Sequence, residues 1–228
     1  MTYVEAVNSV LRRLRENTVD TIQGSGNSNS YARLIGDFVN EAKSQAEVAW
    51  KWGGLRQTLS GNTTAGAFNY EIQGSSNNFE VLDAWDATSR RELQYQTSSW
   101  FNKAYMLENP PTGSPQYYTF NGVSDDGDTL VDVYPIPDGV YVTRFNVVLR
   151  NQVLVNDSDR IYIPTRPIIL LATAMAIEER GEDGGQQSIN AYKSAEIALA
   201  DEIAMDANRH PEEVVWYTVW NNLKLFPL

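Results

Sequence analysis

Apolar residues recur at helical spacing near both ends of the chain and at strand-like spacing in the middle. Thr2 and Glu5 are spaced as a capping box, and apolar side chains follow at every third or fourth position to about residue 16. A second helical pattern begins after Ser30 and ends near residues 50–52, before a Gly-Gly pair that a helix does not hold easily. The start of the chain therefore predicts two helices.

The pattern changes between residues 53 and 160, where short runs rich in β-branched and aromatic residues are separated by Gly, Asn, Asp and Pro. The runs are FNYEIQ, NFEVLDAW, ELQYQ, QYYTFNG, TLVDVYPI and VYVTRFNVVLR. They predict an antiparallel β domain of six to eight strands. In YPIPDGVYV the prolines end one strand and Asp138-Gly139 supplies turn residues, which predicts a connection between two strands.

Helical patterns return after the β region. A nearly all-apolar helix begins at Thr165 and ends before Gly181, and such a helix is normally buried on several sides. A last helix covers about 186–208, with Ile189, Tyr192, Leu199 and Ile203 expected on one face. Alanines along this helix permit close approach of a neighbouring helix.

The order of elements predicts an α+β fold. Two N-terminal and two C-terminal helices form one bundle, and the antiparallel β domain is inserted between them. The predicted limits are 1–52 for the first helices, 53–160 for the β domain, 161–208 for the last helices and 209–228 for an extended C-terminal arm.

Charge and composition limit the classes of function that the chain can have. The 228 residues carry a formal net charge of −11, and such a surface repels phosphate and disfavours ordinary nucleic-acid binding. The charge is compatible with the lining of a channel through which DNA passes without binding. With no cysteine and one histidine, Cys/His zinc sites, thiol nucleophiles and disulfides are excluded. We expect neither a signal peptide nor a membrane-spanning segment, because no apolar run is long enough.

No arrangement of residues predicts catalysis, a cofactor or a metal. His210 lies beside a proline past a helix end, and a surface histidine is a better interpretation than a catalytic base. Neighbouring acidic pairs such as Glu178-Glu179 do not face each other on a helix. The SDDGD run at 124–128 lacks the ligand spacing of a calcium loop and predicts a polar turn. The expected sets of catalytic, cofactor-binding and metal-binding residues are therefore empty.

Aromatic residues are frequent in the predicted β domain. Most are expected in its core, and a minority could form a stacking platform for carbohydrate. The residues are Trp85, Trp100, Phe101, Tyr117, Tyr118 and Phe120.

The chain ends on VVWYTVWNNLKLFPL, residues 214–228, with two tryptophans and one charge. A free terminus is usually polar, so this segment predicts burial. It could pack on the helices of its own chain or anchor into another chain, and its pattern fits an extended strand and a short helix about equally well. The predicted docking set is Trp216, Tyr217, Trp220, Leu223, Leu225 and Phe226.

Three passages resemble the head-to-tail adaptor of short-tailed bacteriophages, the tail tubular protein A family. The first is the opening helix AVNSVLRRLRENTVDTI, and the second is ARLIGDFVNEAKSQAEVAWKWGGL, a helix with a tryptophan-rich end. The third runs from LVDVYPIPDGVYVTRFNVVLRN to IYIPTRPIILLATAMAIEE. The likeness lies in the order and spacing of these passages.

The resemblance implies a structural virion protein without enzymatic activity or cofactor. Such adaptors form a ring, typically of twelve copies, between the portal and the tail nozzle or tube protein, and DNA passes through the centre without specific binding. The implied location is the tail at the capsid portal vertex, after assembly in the host cytoplasm. The alternative function is a carbohydrate-binding virion module that uses the aromatic residues of the β domain.

Overall fold

The computed structural model describes residues 1–24, 27–75, 78–150, 153–181 and 185–209. Within these ranges the helices are α1 (Tyr3–Arg13), α2 (Asn27–Ala49), α3 (Ser98–Tyr105), α4 (Thr165–Arg180) and α5 (Gln186–Ala207), with a 3₁₀ turn at Gly53–Leu55. The strands are β1 (Arg56–Asn62), β2 (Asn69–Glu71), β3 (Phe79–Asp86), β4 (Arg91–Glu92), β5 (Gln94–Tyr95), β6 (Tyr117–Val123), β7 (Thr129–Tyr134) and β8 (Val142–Leu149). This mixture of helices and sheets confirms the predicted α+β class.

The contacts divide the chain into two compact units. One contains Met1–Leu55 together with the described residues after position 150, and the other is Arg56–Arg150. We call them the helical unit and the sheet unit.

The helical unit is organised around α4. This helix packs against α1, α2 and α5, and α1 also packs against α2. Its apolar sequence, which predicted burial on several sides, is explained by these three neighbours. Gly181 ends α4 in the left-handed conformation, with φ of 62°, as a glycine just past the last helical turn commonly does.

The first helix begins with the predicted capping box. The Thr2 hydroxyl accepts from the Glu5 amide, and the Glu5 carboxylate accepts from the Thr2 amide at 2.8 Å. These two bonds satisfy amides that have no partner inside the helix, and the bond that the Thr2 amide donates to the Glu5 carboxylate holds the pKa of Glu5 below its usual value.

The segment after the sheet unit returns to the helices. The amide of Tyr3 donates to the Asp159 carbonyl at 2.8 Å, and Asn40 on α2 accepts from the Leu154 amide at 2.9 Å. Leu154, Ile161 and Ile163 are buried. Residues 153–160 therefore pack with the helical unit, although the sequence pattern placed them in the predicted β domain.

The sheet unit contains two four-stranded sheets. Their strand orders are β1-β8-β3-β4 and β2-β7-β6-β5. The core between them includes Tyr118, Val131, Phe145 and Val147. Most strand pairs are antiparallel, as predicted, but β5 pairs with β6 in parallel. The purely antiparallel prediction is wrong at this edge because α3 and the following loop carry the chain back to the same end before β6 begins.

The helix α3 was not predicted, since its region was assigned to the β domain as a whole. The Thr97 hydroxyl accepts from the Trp100 amide at 3.3 Å and caps the helix, while Phe101 is buried. The helix has only 8 residues, too few for the sequence to show a clear apolar period.

The predicted connection between two strands joins β7 to β8. Because these strands belong to different sheets, it crosses from one sheet to the other and does not form a hairpin. The amide of Gly66 donates to the Pro137 carbonyl at 2.8 Å, and the Thr63 hydroxyl donates to the Gly139 carbonyl at 3.0 Å. The crossing is therefore held by the loop that follows β1.

Candidate docking surface at the end of helix α5

The six residues predicted to dock lie in 210–228, outside the described residues, as does His210. The described chain ends at Arg209, directly after α5. The structure therefore shows how the last residue before the C-terminal segment is held, and which surface surrounds it.

Asp206 fixes the end of α5 to the end of α2. Its carboxylate accepts from the Trp50 indole N–H at 3.1 Å and from the Gly53 amide at 3.0 Å. Asp206 is buried, and the Arg209 guanidinium lies 4.0 Å from its second oxygen. The last turn of α5 is therefore tied to the segment that leads from α2 into the sheet unit.

Trp52 fills the space beneath this junction. It is 1% exposed, and its indole N–H donates to the Ala46 carbonyl at 2.7 Å. The bond supplies a donor to a carbonyl in the last turn of α2, where the helix no longer provides one. The tryptophan-rich end of this helix thus has a structural role within the helical unit.

The exposed surface of α5 carries three large apolar side chains among polar ones. Ile189, Ile197 and Met205 are 49%, 63% and 61% exposed, and intervals of eight residues distribute them around this surface. The inner face carries small residues such as Ala195 and Ala198, which allow close contact with α4. Of the four apolar residues expected on one face, Tyr192, Leu199 and Ile203 are half-buried, whereas Ile189 is exposed.

A hydrogen bond between α4 and α5 stabilises the N-terminal half of α5. The Tyr192 hydroxyl on α5 donates to the Glu178 carboxylate on α4 at 2.6 Å. Burial, then this hydrogen bond, then the charges of Glu178 and Glu41 raise the pKa of Tyr192 to about 12. The tyrosine therefore stays protonated, and the bond stays formed, through the neutral and moderately basic range.

Two of the six aromatic residues named from the sequence lie fully in the core, and three are half-buried. Phe101 and Tyr118 are buried, and Trp100 contacts Tyr117 in a tilted arrangement at 4.9 Å and meets Tyr134 edge-on at 5.3 Å. Trp85 differs, with 42% of its surface exposed. Five of the six aromatic residues considered for a carbohydrate platform are thus buried or half-buried.

The polar run at 124–128 forms the turn between β6 and β7. The Gly127 amide donates to the Ser124 carbonyl at 3.0 Å, and Asp128 accepts from the Gly74 amide at 2.8 Å. Across the part of the chain that the structure describes, no group of His, Cys, Asp and Glu side chains could hold a metal ion. This segment is a polar turn, as predicted.

Comparison with known protein families covers nearly the whole chain. A family model described as SU10 adaptor protein matches residues 1–216. The chain belongs to the SU10 adaptor protein family. It is therefore a structural protein of the phage virion, and proteins of such a family are typically not enzymes.

Two further findings concern similar proteins and membrane-spanning helices. No curated protein matches the chain significantly. None of the helices within the described ranges is long and apolar enough to cross a membrane.

Membership of the SU10 adaptor family implies oligomerisation and contact with portal and tail proteins. The outer face of α5 and the C-terminal segment are the candidate surfaces for those contacts.

Proposed function

We propose that this SU10-family adaptor is the head-to-tail adaptor of a short-tailed phage, similar to tail tubular protein A. Copies form a ring between the portal and the tail nozzle at the capsid vertex, and DNA passes through the centre. The observation that carries the proposal is the family match across residues 1–216. The three sequence passages that resemble the tail tubular protein family support the assignment to a short-tailed phage.

The charge of the chain supports a role as a passive DNA channel. A formal net charge of −11 leaves few contacts to phosphate. Because each phosphate contact adds affinity through counterion release, a wall with few such contacts lets DNA move during ejection.

Exposed apolar side chains on α5 support self-association. Ile197 and Met205 are each more than half exposed on a helix whose other side is packed. Large apolar side chains in such positions are available for contact with another chain. We propose a ring of twelve copies, the number typical of the adaptors that this chain resembles.

The C-terminal segment is the proposed docking arm. The Asp206 junction holds the residue from which it leaves, so the arm starts from a fixed point on each copy. Its aromatic residues are the type that dominates binding energy at interfaces, each contributing on the order of 2 kcal/mol or more. Repetition around a ring multiplies this affinity through effective concentration.

Deletion of residues 212–228 tests the arm. We expect the truncated chain to keep its helical circular dichroism signal, because every core residue described lies before position 210. We also expect it to lose assembly on portal rings, measured by co-sedimentation with the portal and by electron microscopy. Replacing Trp216 and Trp220 together by alanine should weaken docking in the same direction.

The matched control is Trp85→Ala, which removes an exposed tryptophan from the sheet unit. It should dock on the portal as the unmodified chain does. Undiminished assembly of the truncated chain would show that the arm does not dock.

A second expectation concerns the isolated chain. The chain in dilute solution should be largely monomeric, and rings should form on the portal, because contacts between copies become strong only when they are repeated around a ring that the portal holds. Light scattering combined with size-exclusion chromatography measures this mass. Stable free dodecamers at micromolar concentration would contradict the expectation.

A further inference from the structure

The strand β1 is a long edge strand of the sheet unit. It has 7 residues and pairs with β8 on one side, and no strand among the described residues pairs with its other side. The other three sheet edges are β2, with 3 residues, and β4 and β5, with 2 residues each. A long uncovered edge is a template for another strand, and natural proteins usually shorten or cover such an edge.

The hydrogen bonds of β8 show which of its residues face β1. The Ala87 amide donates to the Val142 carbonyl at 2.8 Å, on the β3 side. The Thr63 amide donates to the Tyr141 carbonyl at 2.9 Å, on the β1 side. Alternate residues of an antiparallel strand direct their N–H and C=O groups to opposite sides, so the odd-numbered residues of β8 bond to β1.

The register then identifies the free groups of β1. Gln57, Leu59 and Gly61 lie opposite odd-numbered residues of β8 and use their backbone groups there. Thr58 and Ser60 lie opposite even-numbered residues, so their N–H and C=O groups point away from the sheet. Both side chains are exposed, and their backbone edge is open to a further strand.

A cleft adjoins this edge. It has a volume of about 310 Å³ and lies between β1 and β2, the edge strands of the two sheets. Residues 60–62 line one wall, residues 70–73 line the other, and core residues Val131 and Phe145 are at its base. An added strand directs alternate side chains to one face, so it would place apolar side chains over this opening.

The C-terminal segment has the sequence of such a strand. Residues 214–219, VVWYTV, are all β-branched or aromatic, the types enriched in strands. Four residues, 210–213, join Arg209 to this run and can span about 16 Å when extended, at about 3.3 Å per residue. The run therefore begins close to the end of α5, and the copy that it contacts is one that packs beside that helix end.

We propose that residues 214–219 of one copy pair with the free edge of β1 in a second copy, as an added strand. The inference rests on the proposed function in requiring that several copies assemble. Every copy carries both the segment and the edge, so the contact is heterologous and can be repeated around a closed ring. The sequence pattern of the arm fits both an extended strand and a short helix. In an added strand the arm is extended.

The experiment uses a fluorescent peptide of residues 212–228 titrated into the full-length chain in dilute solution, with binding read from anisotropy. Ser60→Pro removes one outward amide and leaves the bonds to β8, whereas the control Ser60→Ala keeps that amide. We expect Ser60→Pro to weaken binding about fivefold or more and Ser60→Ala to leave it unchanged. Thermal melting confirms that both variants are folded.

A second set of peptides tests for strand geometry. Single N-methyl groups are placed on the amides of Val215, Tyr217 and Val219, or on those of Trp216 and Thr218. An added strand uses alternate amides, so one set should bind weakly and the other as the unmodified peptide does. Docking through side chains alone, or as a helix, would show no such alternation and would overturn the proposal.

Two other outcomes would also overturn it. Absence of peptide binding to the full-length chain would exclude pairing with a second copy. It would mean that the chain's own segment occupies the site, or that the site does not bind the segment. Equal binding to Ser60→Pro and Ser60→Ala places the peptide elsewhere. If the edge fails these tests while deletion of residues 212–228 still prevents assembly on the portal, the adaptor function stands and only the strand pairing is wrong.

Discussion

Replacing Trp52 with alanine is expected to lower the free energy of unfolding of the helical unit by about 3–5 kcal/mol. The side chain is 1% exposed and is among the largest fully buried ones. Its removal leaves a cavity and deprives the Ala46 carbonyl of the 2.7 Å bond from the indole N–H. Urea denaturation followed by circular dichroism at a helical wavelength measures the loss.

The matched control is Trp85→Ala, the same chemical change at a tryptophan that is 42% exposed. It should cost clearly less than Trp52→Ala, because 42% of the residue was already in contact with water. Similar losses in the two variants would mean that Trp52 does not occupy the buried position described.

Replacing Asp206 with alanine is expected to destabilise the helical unit by about 1–3 kcal/mol, because the Trp50 indole and the Gly53 amide lose their acceptor. One effect opposes this loss. Asp206 is next to the last residue of α5, where the helix dipole disfavours a negative charge by about 0.3–1 kcal/mol. The net cost should therefore fall in the lower part of the range.

The control is Asp201→Ala, an exposed aspartate on the same helix, which should change stability by about 0.5 kcal/mol or less. Hydrogen exchange supplies an independent measurement, since the Gly53 amide should exchange faster in Asp206→Ala than in Asp201→Ala. Equal exchange rates would contradict the described bond.

The Asp206 junction has a consequence for docking. It joins the last turn of α5, from which the C-terminal segment leaves, to the residues that lead into the sheet unit. Asp206→Ala therefore makes the end of α5 less rigid. Docking must then remove more conformational entropy from the segment, and we expect weaker portal binding in this variant even under conditions where it is fully folded.

Local signals predicted the four helices of the helical unit, although not α3. The Thr2 and Glu5 capping box depends on residues three positions apart, and Gly181 marks a helix end because a left-handed residue favours glycine. The start of α4 at Thr165 also agrees with the prediction. Each of these features depends on neighbours in sequence, so no knowledge of the packing was needed.

Features that depend on distant partners were not predicted. Asp206 and Asp201 look alike in sequence, and only the return of α5 to the end of α2 gives Asp206 its two donors. The ion pair between Lys43 and Glu47 on α2, at 3.1 Å and with both side chains 3% exposed, has the spacing of an ordinary surface pair. Its burial is a property of the tertiary structure and has no counterpart in the local sequence.

The sequence by itself determined the α+β class, the sites of the capping box and of the helix-ending glycine, the acidic charge and the aromatic character of the C-terminal segment. These follow from composition and from interactions within a few residues. Only the tertiary structure decided that α5 turns its alanines inward and its isoleucines outward, that Asp206 holds the root of the arm, and that β1 keeps a free edge beside a cleft. Those outcomes depend on which surfaces meet, and residues far apart in sequence decide that through the space that each leaves for the other.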